Sequence, residues 1–127
     1  MDADAIARWQ SDATLIMRVR TAVIGAGLMG REHIKWLQRV PEAEVVAVVD
    51  PHQPSAAPAA ALVEPEARAF QDMEEMLAAA APEYVVVASP PRFHAQQAIA
   101  AFEAGAHVLC EKPLCMSVAE AEAMEQE

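Results

Sequence analysis

Glycine is scarce in this chain of 127 residues: there are four, beside two cysteines and 5% aromatic side chains. Two cysteines cannot staple a domain of this length, which excludes a disulfide-built scaffold and suits a reducing cytoplasm. No stretch approaches the roughly 18 consecutive apolar residues that a membrane helix requires. The opening, MDADAIARWQ, has neither a basic end nor an apolar run, so it does not read as a signal peptide. Basic residues are few as well: nine Lys and Arg against 19 Asp and Glu leave a net charge of −10 with histidines neutral. So acidic a surface repels phosphate backbones and anionic lipid, which argues against nucleic acid and membrane as partners. Length allows one domain and hardly two. A chain near 150 residues buries roughly two thirds of its unfolded surface, so one core of this size can stand alone. The expectation is a single acidic, cytoplasmic domain.

What the chain has in plenty is apolar and helix-forming: 54% hydrophobic residues, 29 of them alanine. Residues 1–17 read as an acidic leader, helical or disordered, and the domain runs from 18 to 127. A β-branched run, Val19 to Ile24, stops at Gly25. Leu28 to Val40 has helical spacing (Ile34, Leu37, Val40), closed by Pro41. Val45–Val49 and Tyr84–Ala88 are continuous apolar runs of the kind that suits strands buried on both faces. Between them come a proline- and alanine-rich stretch with a short helix around 56–63, an edge strand over 67–70, and a helix from Asp72 to Ala80. Asp72 is placed to cap that helix, with Glu74 and Glu75 in the first turn where the dipole favours them. His94–Ala104 follows as a helix stopped by Gly105, His107–Cys110 as a fifth strand, and Ser117 caps a last helix in which the chain ends. Strand and helix alternate five times without an internal repeat. That pattern predicts an α/β fold, a doubly wound parallel sheet of about five strands with helices on both faces.

Three of the four glycines, Gly25, Gly27 and Gly30, fall within six residues, between the first strand and the first helix. GxGxxG alone is a weak signal. Here it is joined by a second buried strand ending in Asp50, 20 residues past Gly30. Each residue type has a physical reason: Gly25 for the tight turn, Gly27 for close approach of a diphosphate, Gly30 for helix-on-strand packing. The loop Gly25-Ala26-Gly27-Leu28-Met29-Gly30 then presents helix N–H groups and positive partial charge to the phosphates. Asp50 can accept both ribose hydroxyls of an adenosine and would repel a 2′-phosphate. No arginine follows it in Pro51-His52-Gln53, so NAD is favoured over NADP. The blander reading is a tight turn and nothing more; the offsets to the second strand and its acid favour a Rossmann-type dinucleotide site.

Ligands in such sheets sit beyond the carboxyl ends of the strands. Two more loops should therefore frame the cofactor: Ser89-Pro90-Pro91-Arg92-Phe93-His94 and Glu111-Lys112-Pro113-Leu114. Taken together, GAGLMGREH, the acid-ended VVAVVD, ASPPRFH and EKPL resemble the Gfo/Idh/MocA oxidoreductase family over about residues 19 to 124. EKP after a Rossmann strand is much more specific than the glycine pattern. The resemblance implies hydride transfer between a nicotinamide and a hydroxyl carbon of a sugar, polyol or related small molecule.

Carried over residue by residue, Lys112 is the EKP lysine, beside the nicotinamide and the substrate hydroxyl, where a cation stabilises a developing alkoxide. Glu111 orients Lys112 or the nicotinamide ribose, or only adds surface charge. Pro113 follows a peptide that the family often holds cis. Ser89 and Pro90 match a turn near the adenosine and diphosphate. His94 matches a family histidine, with cofactor contact or packing of the helix start as the two readings; His33 is read as structural. His52 and His107 have no companions, and four scattered histidines with two cysteines make no metal-ligand pattern. Cys110 reads as a small buried residue rather than one half of a redox pair with Cys115.

Relatives of this kind continue with a sixth strand and a second α/β domain that contacts substrate, and these 127 residues stop before either. Two function classes follow. One is the cofactor half of a nicotinamide-dependent sugar or polyol oxidoreductase, turning over substrate only with a second domain. The other is a nucleotide-binding module without independent catalysis. Lys112 favours the first, and a methyl-transfer cofactor on the same sheet would need neither EKP nor the SPP turn. The unpaired outer edge of the fifth strand suggests self-association.

Overall fold

The computed structural model describes residues 2–6 and 18–127. The leader expected over 1–17 therefore lies mostly outside the described residues. Of it, residues 3–6 are helical, and Asp2 accepts a hydrogen bond from the Ala5 amide at 2.6 Å.

From residue 19 the elements run β1 (Val19–Ile24), α1 (Leu28–Leu37), β2 (Ala43–Val49), α2 (Gln53–Ala60), β3 (Arg68–Phe70) and α3 (Met73–Ala80). Then follow β4 (Tyr84–Val87), a 3-10 turn (Pro91–Phe93), α4 (His94–Glu103), β5 (His107–Cys110) and α5 (Val118–Glu125). Every strand pair is parallel, and the sheet order is β3-β2-β1-β4-β5. The expected fold class is the one found. Strand order reverses between β1 and β4, so the crevice beyond their carboxyl ends is the place for a ligand.

Alternation of side chains divides the apolar strands between two cores. Val23, Val48 and Val86 meet Ile34 of α1 and Ala59 and Ala60 of α2. On the other face Ile24, Val49 and Val87 meet Met76 of α3 and Ala101 of α4. Both faces are covered, which is why these strands need no polar alternation. A bulge interrupts the β1–β2 ladder: Thr21 faces Val45 but Ala22 faces Ala47. Val46 is skipped, so Val45 and Val48 serve the same core although three residues separate them.

Strand β2 starts two residues earlier, β3 one residue later, and β4 ends one residue earlier than expected, and helix bounds differ from the sequence expectation at four places. Helix α1 ends at Leu37, because the chain then tightens through Arg39 N–H to Trp36 O and Val40 N–H to Leu37 O before Pro41. Val40 consequently falls outside the buried stripe and is 44% exposed. Helix α2 starts at Gln53 rather than near 56, since Pro54 suits a first turn, and it stops at Ala60. Helix α4 stops one residue early, at Glu103. Helix α5 ends at Glu125, two residues before the chain does.

Ile34 is fully buried on α1 while Trp36, two positions on, is 61% exposed. Ile34→Ala is expected to cost about 2–5 kcal/mol in urea unfolding, and Trp36→Ala about 0.5 kcal/mol or less. Equal losses at the two positions would contradict this orientation of the helix.

Candidate functional site

The three glycines do three different things. Gly25 has φ +102°, and a Cβ there would stand 2.7 Å from the carbonyl carbon and oxygen of Ala88. The turn is stitched to its neighbours by Gly25 N–H to Val49 O at 2.7 Å and Ala88 N–H to Ile24 O at 2.8 Å. Gly30 sits so close to the turn that a Cβ would fall 1.7 Å from Gly25 O. Gly27 is different: its φ of −77° is open to any residue, and a Cβ would meet nothing within 4 Å. Neither backbone conformation nor packing among the described residues calls for glycine at that position.

That position is the start of α1. Like α2 and α4, this helix has no side-chain cap and no acidic residue in its first turn, whereas Asp72 caps α3 and Ser117 caps α5. Its first internal bond is Arg31 N–H to Gly27 O at 3.0 Å, which leaves the amides of Leu28, Met29 and Gly30 ahead of the ladder. The Leu28 and Met29 side chains stand 69% and 47% exposed beside them. Open amides, the positive end of the helix dipole and no competing carboxylate fit a diphosphate.

Asp50, at the end of β2, turns back over the loop. Its Oδ2 accepts from the Ala26 amide at 2.9 Å and its Oδ1 from the His52 amide at 2.9 Å. Each oxygen keeps a second lone pair, so the carboxylate is oriented at the loop and can still accept hydroxyls.

The other two loops lie on the same carboxyl edge. After β4, the Ser89 hydroxyl donates to Gln97 Oε1. His94 is 1% exposed, with Nε2 at 2.7 Å from Ser89 O and Nδ1 at 2.8 Å from Pro113 O. Both ring nitrogens thus face carbonyl oxygens, to one of which a neutral imidazole donates and to both of which an imidazolium does; His94 supplies no side-chain cap to α4. It ties the second loop to the third. After β5, Glu111 N–H donates to Val87 O at 2.9 Å, and the Lys112–Pro113 peptide is cis. Glu111 Oε1 lies 2.6 Å from His33 Nε2 on α1, with side chains 24% and 21% exposed respectively. Lys112 is exposed, and its ammonium has no hydrogen-bond or ion-pair partner among the described residues.

The hydrogen bond with His33 holds the Glu111 carboxyl below its ordinary range; desolvation opposes this, and the charge of His33, the Lys112 amide and the charge of Lys112 assist. Burial pushes the Cys110 thiol up to about 11, with Cys115 and Glu111 adding to the effect. Such a thiol holds little thiolate near neutrality, which weakens any redox pairing with Cys115. Both cysteines are free. Among the described residues no group of three or more His, Cys, Asp and Glu could hold a metal, and no helix is long and apolar enough to cross a membrane.

Sequence reasoning located the glycines, Asp50, Ser89 and Lys112 but missed what His33 does. Its partner is 78 positions away, and no local spacing signals such a pair. Gln97, the partner of Ser89, was missed for the same reason.

Comparison with known proteins agrees with this geometry. Residues 19–127 match the model of the Gfo/Idh/MocA oxidoreductase family, described as having an NAD-binding Rossmann fold. An inositol 2-dehydrogenase of Leifsonia xyli is 46% identical over 104 residues, covering 81% of this chain and 30% of that protein. The WlbA dehydrogenase of Bordetella pertussis, solved with NADH and UDP-GlcNAcA, superposes with a TM-score of 0.80 at 30% identity, covering 86% of this chain and 33% of that one. The scyllo-inositol dehydrogenase of Lactobacillus casei, solved with NAD(H) and scyllo-inositol, gives 0.78 at 26% identity, covering 86% and 32%. The chain spans about a third of the length of the curated relatives it matches.

Two expectations follow from the geometry. Gly27→Val should cost about 1 kcal/mol of stability at this helix start yet weaken NAD binding at least about tenfold, whereas Gly30→Ala should unfold the domain. Calorimetric titration and thermal melts separate the two, and an unimpaired Gly27→Val would mean that nothing docks there. For Glu111, the folded pKa lies below the unfolded one, so its contribution to stability is present above the ordinary glutamate value and lost as pH falls through the folded value. Melts of the parent and of Glu111→Gln should differ above about pH 4.3 and converge in stronger acid. A gap independent of pH would refute the pairing.

Proposed function

The chain belongs to the Gfo/Idh/MocA oxidoreductase family, of which it is the NAD-binding Rossmann domain, and we propose that it serves hydride transfer between NAD and a hydroxyl-bearing carbon of a sugar or polyol. The observation that carries this reading is an exposed lysine, Lys112, without a partner among the described residues, on the same sheet edge as an uncapped, glycine-opened helix start. A nucleotide module without chemistry has no use for a free cation there. The relatives' substrates, inositols and nucleotide sugars among them, support the substrate class.

In this reading Gly25, Ala26, Gly27 and Gly30 shape the ledge, and the amides of Leu28 and Met29 take the diphosphate oxygens. Asp50 accepts the adenosine ribose hydroxyls through its free lone pairs. It also repels a 2′-phosphate, with Pro51, His52 and Gln53 offering no arginine to reverse that preference. Ser89 and Pro90 border the adenosine and diphosphate, and His94 shapes that border from behind. Glu111 Oε2 is left to the nicotinamide ribose, since Oε1 faces His33. Bound NAD supplies the hydride acceptor. Lys112 donates a hydrogen bond to the substrate oxygen and stabilises its negative charge while the hydroxyl proton passes to a base supplied by the second domain; Pro113 shapes the loop behind it.

The described residues form an open ledge beside Lys112, so a sugar needs further walls, and turnover is expected only with a second domain. The setting is the cytoplasm, in keeping with the acidic surface and free thiols. Self-association is assigned to β5, which lies at the sheet edge; sedimentation showing a monomer at every concentration would remove that part.

NAD+ titrated into the purified chain should bind, and Asp50→Ala should weaken binding about tenfold to a hundredfold, the worth of a hydrogen bond to a charged group. NADPH binding more tightly than NADH would overturn the cofactor preference.

A further inference from the structure

We propose that His33 and His94 are positioning residues that hold Lys112 in place by gripping its two neighbours in the chain; this rests on the role just given to Lys112. A lysine carries its charge at the end of four flexible bonds, and this one has no side-chain partner to fix it. What can be fixed is the backbone from which it departs. The loop from 111 to 117 contains neither helix nor strand, so regular structure does not do it.

Two imidazoles do. On one side Glu111 is drawn to His33, on the second turn of α1, at 2.6 Å, shorter than the usual charge-assisted N–H···O bond of about 2.7–2.9 Å. On the other side the Pro113 carbonyl meets Nδ1 of His94 at 2.8 Å. His33 refers the loop to the helix that opens at Gly27, and His94 refers it, through Ser89 O at 2.7 Å, to the second loop. Lys112 is therefore located against both surfaces that frame the cofactor, through contacts 78 and 19 residues apart in sequence.

A purely structural role explains this arrangement less well. The buried His94 ring meets two loop carbonyls that an apolar residue could not reach, so it ties loops together rather than only filling space. The His33–Glu111 pair is part-buried, its side chains 21% and 24% exposed, and it reaches from α1 across to the loop. Both contacts converge on the residues either side of one lysine.

The chain has only two lysines, Lys35 and Lys112, so reductive methylation with 13C-formaldehyde labels just these and the terminal amine. Lys35→Arg assigns the signals. The Lys112 methyl signal should shift on adding NAD+ to the parent. In His33→Leu that shift should fall to about half or less while NAD+ affinity by calorimetry stays within about threefold. His33→Gln, which keeps an N–H in reach of Glu111, should restore it. Without cofactor, deuterium uptake at the Glu111 and Lys112 amides should rise about tenfold in His33→Leu, not in His33→Gln, with β4 unchanged. Uptake and lysine shifts identical in all three proteins would overturn the positioning role. Altered uptake at 111–112 in a chain that binds no NAD+ would uphold the grip and overturn the function proposed above. The His94 side is read separately with His94→Gln, where Lys112 uptake equal to the parent in a folded protein would remove that half.

Discussion

Helix α1 is packed hard against the turn that precedes it. Gly30 lies against Gly25 O with no room for even one carbon, since a Cβ would sit 1.7 Å away. Close packing of this kind is not adjustable, because interiors are as dense as organic crystals. It sets where α1 begins, how its axis leans on β1, and how far Ile34 sinks into the core against Val23 and Val48. It also sets where the open amides of Leu28 and Met29 and the ring of His33 stand. Were the helix to back away, the diphosphate ledge and the contact to Glu111 would move with it.

The parallel sheet does the gathering. Glycine loop, Asp50, Ser89 and Lys112 come from four different strands, yet all follow a carboxyl end, and parallel strands place every carboxyl end on one edge. The ladder continues just past the strands through Gly25 N–H to Val49 O, Ala88 N–H to Ile24 O and Glu111 N–H to Val87 O, so the loops leave the sheet in register. The helix starts differ in how they are closed. Those of α3 and α5 are closed by Asp72 and Ser117, which satisfies their amides from within. Those of α1, α2 and α4 have no side-chain cap.

Most of the architecture was legible in the residues, and the reason is local. Apolar runs of buried strands, a cap such as Asp72 and a stop such as Gly105 act over a few positions. The Rossmann loop is also local, with Asp50 set by the length of one strand–helix–strand unit. Helix ends were read less well, because proline places a helix end only to within a turn: Pro41 ended α1 three residues earlier than its spacing suggested. What spacing could not reveal was partnership across the sheet. His33 looked structural because its use depends on Glu111 arriving beside it from β5, and His94 left two readings open until the position of the Pro113 carbonyl was known.

That partnership bears on how a lysine can be both free and placed. If the Lys112 ammonium were paired with a carboxylate, its charge would be neutralised where a developing alkoxide needs it. The adjacent carboxylate is Glu111, which a flexible loop could turn toward Lys112, but His33 occupies it instead. The same contact anchors the loop and gives the Glu111 carboxylate a hydrogen-bond partner other than the lysine, whose charge Glu111 still feels. Misplacement of a reacting group by about 1 Å can cost on the order of a hundredfold in rate, so the accuracy that the side chain must not take from a partner of its own has to come from the backbone on either side. An exposed lysine with two tethered neighbours meets both demands, whereas a buried, paired lysine would meet only the second.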